Sequence, residues 1–105
     1  MISQELKKIA DHYGYEEQSN QLVEECAELI QAVSKYRRAK TGAGQPLADY
    51  KITVVLDNLI EEIADVEVML EQVKYLLQIP EEDIEAVKLF KENRTKERMV
   101  STRRD

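Results

Sequence analysis

Apolar positions recur along this chain at intervals of three and four residues, the spacing that aligns one face of an α-helix. Residues 3–13, SQELKKIADHY, bring Leu6, Ile9, Ala10 and Tyr13 to one side, with Ser3 placed to cap the start and Gly14 just past the end. Residues 17–39 carry Leu22, Cys26, Leu29, Val33 and Tyr36 at the same period. KTGAGQPLAD, 40–49, holds two of the three glycines and a proline, and reads as the main connection. A third segment at about 51–78 carries Leu59, Ile63, Val66, Leu70, Val73 and Leu77. Its opening, YKITVVL, is rich in β-branched residues and is also compatible with a strand. QIPEED breaks the pattern at Pro80, and a fourth helix starts near Glu81 and runs to about 99, with acids in its first turn where the helix dipole favours them.

These elements predict an all-α fold: a single domain over residues 1–105, an antiparallel helical bundle built on two long central helices. A chain this short buries little surface alone, so completion by oligomerisation, as a dimer or tetramer, is expected. With 34% charged residues and no apolar run long enough to cross a bilayer, the pattern suggests a cytoplasmic protein without a membrane role. The net charge of −6 argues against binding a nucleic acid polymer. The charge is uneven: residues 88–105 hold seven basic side chains against three acidic ones, leaving −10 on the rest. The single Cys26 excludes an internal disulfide and reads as a small hydrophobe.

The acids change the picture. VEECAELIQAV, 23–33, crowds Glu24, Glu25 and Glu28 at spacings that destabilise a helix. At about 100° per residue, with Leu22 as zero, Cys26, Leu29 and Val33 fall within about 40° of it. Glu25 falls near ~300°, Glu28 near ~240° and Glu24 near ~200°. On the third segment, with Leu59 as zero, Glu62 falls near ~300° and Asp65 near ~240°. Each long helix thus contributes a pair of acids at i and i+3 on the margin of its apolar stripe. If the helices run antiparallel, the pairs converge. Divalent cations offset the repulsion of such a cluster, and carboxylates suit Mg²⁺ or Mn²⁺. The plainer reading is marginal acids pairing with nearby Lys or Arg. A di-iron carboxylate bundle is disfavoured, because it needs Glu-x-x-His on two helices and His12 is the only histidine.

EECAE at 24–28 followed by EIAD at 62–65 resembles the paired E-E-x-x-E and E-x-x-D signature of the all-α nucleoside triphosphate pyrophosphohydrolases, the MazG-like group. LVEECAELIQAV and LIEEIADVEVMLEQV are similar to the two central helices of its small phage and bacterial members, and FKENRTKERM to their C-terminal end. The resemblance covers roughly residues 18–100. It implies cleavage of the α–β phosphoanhydride of nucleoside triphosphates to a monophosphate and pyrophosphate, as disposal of unwanted nucleotides or control of their pool. It also implies Mg²⁺, with Mn²⁺ as a substitute, held by Glu25, Glu28, Glu62 and Asp65. Glu24 matches the first Glu of the motif. Its outward angle gives it a supporting catalytic role, orienting a water or binding a second ion. An activated water would attack one phosphorus, with a clustered glutamate such as Glu25 taking its proton; which glutamate, and whether attack is at α or β, stays open.

On the fourth helix Lys91, Arg94 and Arg98 form one basic stripe. Lys91 and Arg94, with Asn93 beside them, are candidates for binding the triphosphate. TGAGQP is not a phosphate loop. Tyr13, Tyr15, Tyr36, Tyr50 and Tyr75 could stack on a base, without a choice among them. The alternatives are a non-catalytic helical interaction subunit and, within the same superfamily, a phosphoribosyl-ATP pyrophosphohydrolase.

Overall fold

Ser3 starts the first helix as expected. Its hydroxyl accepts from the Leu6 amide at 3.1 Å, satisfying one of the free donors at a helix start, and its carbonyl accepts the first intrahelical bond, from the Lys7 amide at 3.1 Å. The computed structural model describes residues 2–41 and 49–102. Within them the chain forms α1 (Gln4–Thr41), α2 (Asp49–Leu76) and α3 (Glu81–Thr102), with no strand among the described residues. The connection GAGQPLA, 42–48, lies outside them.

The first two expected helices are both present, joined directly across a kink at Gly14 within the single span of α1. Gly14 has φ 85° and ψ 171°, a conformation essentially confined to glycine. The chain bends there and resumes as helix at once, so Tyr15–Glu17 are helical. The β-branched opening of α2 is helical as well: packing of the whole face overrides a local strand preference.

α1 and α2 pack against each other over their lengths. Their seam differs from the expected stripe. On α1 the line of lowest exposure runs Gln18, Leu22, Glu25, Leu29, Ala32, Tyr36, Ala39, alternating four and three residues as in a coiled-coil seam. Its centre lies about 50° round the helix from the expected one. Val33, expected inside, is 42% exposed, whereas Ala32 and Ala39 are buried. On α2 the corresponding line includes Val55, Leu59, Glu62, Val66, Met69, Val73 and Leu76.

The rotation leaves Val23, Ile30 and Val33 of α1 exposed, and Leu56, Ile60, Ile63 and Leu70 of α2. On both helices these positions lie on the same angular side of the seam. Because the helices are antiparallel, that places all of them on one side of the pair, as a continuous apolar face.

α2 ends in a Schellman turn. The Ile79 amide donates to the Lys74 carbonyl and the Gln78 amide to the Tyr75 carbonyl, each at 3.0 Å, with Gln78 at φ 55°. Pro80 follows and its carbonyl accepts from the Asp83 amide at 3.1 Å, starting α3. α3 packs against neither α1 nor α2. The radius of gyration is therefore 18.2 Å, against about 13 Å for a compact chain of this length.

Candidate metal centre

The α1–α2 register brings three acids together. One carboxylate oxygen each from Glu25, Glu28 and Glu62 lies within 4.8 Å of the others. Glu25 and Glu62 lie on the seam itself, nearer the packed interior than the margin positions their angles suggested. Glu28 is exposed and reaches the group from the rim.

The environment of these oxygens is informative. Gln21, one turn before Glu25, donates from Nε2 to Glu25 Oε1 at 2.8 Å. Glu25 Oε2 and Glu62 Oε2 are buried and accept no hydrogen bond among the described residues. None of the ion pairs among the described residues (Lys8–Glu5, Lys74–Glu81, Lys88–Glu85) includes the three acids. Buried carboxylate oxygen without a donor is costly, and a cation is the partner that such a set of hard oxygen donors fits. The chemistry of these donors fits a hard divalent cation such as Mg²⁺ or Mn²⁺.

The remaining candidates are dispersed. Asp65 is half-buried on α2, one turn beyond Glu62, and is not a member of the close group. Glu24 is exposed and lines a separate open groove of about 510 Å³ with Tyr13, Gln18, Asn20 and Gln21 on the side of α1 that follows the Gly14 bend. Lys91, Asn93 and Arg94 are exposed on α3 and do not meet the acids within one chain. The side chain of Tyr50 and the 42–48 connection lie outside the described residues.

Two features escaped the sequence reading. Gln21 was legible as an i, i+4 partner of Glu25. The Gln18–Gln72 contact, 54 positions apart, had no local signal. A second groove of about 490 Å³ lies between the start of α1 and the end of α2, lined by Lys7, Asp11, Lys74 and Tyr75 among others. There the Tyr75 hydroxyl donates to Asp11 Oδ2 at 2.9 Å. That bond, with desolvation and the Asp11 charge, holds the phenol above its ordinary titration range. Lys7 Nζ sits 5.9 Å from the centre of the same ring. This groove is about 20 Å along α2 from Glu62 and takes no part in the acidic centre.

Comparison with protein-family models, curated proteins and solved structures finds no match.

Proposed function

We propose that the chain is a Mg²⁺-dependent nucleoside triphosphate pyrophosphohydrolase that releases pyrophosphate from its substrate. The observation that carries this reading is the meeting of Glu25, Glu28 and Glu62, with two buried oxygens lacking donors. Bound there, Mg²⁺ would neutralise phosphate charge and lower the pKa of water, which is the chemistry phosphoanhydride hydrolysis needs. Glu25, Glu28 and Glu62 would hold the ion, and Asp65, one turn away, would join or orient a water. Gln21 fixes the Glu25 carboxylate through its one donated bond. Glu24 faces the groove on the outer side of α1, where it can orient substrate or water.

The same reading calls for a homo-oligomer. The chain exposes 8512 Å², whereas a compact monomer of 12.2 kDa exposes about 6,100 Å². The excess is in the range one partner of an obligate dimer buries. A second copy would cover the apolar face carrying Ile30, Ile60 and Ile63. Lys91, Asn93 and Arg94, which cannot reach the acids of their own chain in this arrangement, would bind phosphate from a second copy's α3.

The test is a panel of canonical and modified nucleotides with Mg²⁺, assayed for pyrophosphate. Release that is lost in Glu25→Gln and in Glu62→Gln, with helicity unchanged, is expected. The second reading, a non-catalytic interaction subunit, draws on the unpartnered α3 and the apolar face. It is favoured if no nucleotide is cleaved and neither Mg²⁺ nor Mn²⁺ binds.

A further inference from the structure

Gln72 is 1% exposed and is the largest fully buried side chain; Gln18 is 8% exposed. Gln18 Nε2 donates to Gln72 Oε1 at 2.7 Å, across the α1–α2 seam. The other end of Gln72 is held only loosely, by the Val68 carbonyl at 3.4 Å and Met69 Sδ at 3.5 Å. The most buried apolar residues of the α1–α2 seam are small or pliant ones, Ala32, Ala39, Val66 and Met69, and Met69 lies one turn from Gln72. Alanines make a smooth ridge and methionine adapts its shape, so this surface alone discriminates poorly between neighbouring registers. A buried polar pair does discriminate: sliding one helix past the other leaves both amides without partners. The Tyr75–Asp11 bond also joins α1 to α2, but it is exposed and lies before the Gly14 bend, on the arm that carries none of the acids.

We infer that the Gln18–Gln72 pair is a register lock that positions Glu62 against Glu25 and Glu28. The three oxygens lie within 4.8 Å of one another. A slip of one helical turn moves α2 by about 5.4 Å, enough to withdraw Glu62 from the group. Gln18 and Gln72 stand outside the group of three acids and act through it as positioning residues. The functional consequence rests on the metal-centre reading, while the lock itself does not.

The experiment uses the full chain with Gln18→Leu and Gln72→Leu combined, so that no orphaned amide remains. Spin labels are placed at the exposed positions 35 and 67, with Cys26→Ala, and labelled protein is diluted into unlabelled protein. Mn²⁺ binding is measured in parallel on unlabelled protein. The parent is expected to give one narrow distance. The double variant is expected to keep its helicity, to broaden or shift that distance, and to bind Mn²⁺ at least about tenfold more weakly through loss of a carboxylate. A distance distribution identical to the parent's overturns the lock. If the parent binds no Mn²⁺, the metal-centre reading fails, and the distances still decide the lock. Should the leucine pair not fold, Gln18→Met with Gln72→Met, closer in shape, decides by the same distances.

Discussion

α2 and α3 are separated by only residues 77–80, yet they live in different surroundings. α2 lies along α1 and buries Val66, Met69 and Gln72. Among the described side chains of α3, 22 residues long, only Ile84 is partly covered, and Phe90 is 62% exposed. The sequence patterns of the two do not foretell this contrast, since both have apolar residues at helical spacing. An apolar stripe states that a helix needs a partner; it does not state which one. For α2 the partner is supplied by the same chain, through a connection that returns it antiparallel to α1. For α3 the turn at Gln78 and Pro80 directs the helix away from α1 and α2 among the described residues.

The largest expected effects fall on the packed side of this contrast. Met69→Ala should destabilise by about 2–4 kcal/mol in chemical denaturation, whereas Phe90→Ala should cost less than about 0.5 kcal/mol in dilute protein. A cost for Phe90→Ala that rises with protein concentration would show α3 buried in an oligomer and erase the contrast. Next comes Gly14→Ala. Beyond the adjacent backbone, no described atom lies within 4 Å of the position an added Cβ would take, so the penalty is that of the backbone conformation. It is expected at about 1–3 kcal/mol by thermal melting. A loss near zero would mean that α1 can straighten through residue 14.

At the junction itself the expected effect is smaller and opposite in sign. Gln78 holds φ 55° at a position where glycine is usual. Gln78→Gly should stabilise by about 0.5 kcal/mol, the relief of strain exceeding glycine's added chain entropy. The smallest effect is electrostatic. Lys74 Nζ donates to Glu81 Oε1 at 2.8 Å across the turn. That bond, opposed by some desolvation and aided by the charges of Lys74 and Lys88, holds the Glu81 carboxyl below its ordinary range. A depressed folded value means the pair's contribution is present above the ordinary carboxylate range and is lost as pH falls through the lower value. Titration by NMR should show Glu81 returning to an ordinary value in Lys74→Ala. No change would leave the direction of α3 to the backbone turn alone.

Local rules were sufficient for much of this molecule. The Ser3 cap, the break at Gly14, the start of α3 after Pro80 and the all-α class follow from spacing, capping and the special dihedrals of glycine and proline. Each depends on residues within a turn or two of one another. The i, i+3 pairing of the acids was legible for the same reason, and so was the placement of Glu25 and Glu62 near one another once α1 and α2 run antiparallel.

What depends on two distant segments meeting was decided only in three dimensions. The seam runs through Ala32 and Ala39 as well as Leu22, Leu29 and Tyr36, about 50° round α1 from the expected stripe, which moves Glu25 from the margin onto the contact line. The buried Gln18–Gln72 bond has no sequence signature, because either glutamine alone reads as surface. The separation of Lys91, Asn93 and Arg94 from the acids follows from the path of α3 beyond Pro80. Periodicity fixes where a side chain sits around its own helix; the azimuth of one helix on another, and their offset along the axis, come from which surfaces fit.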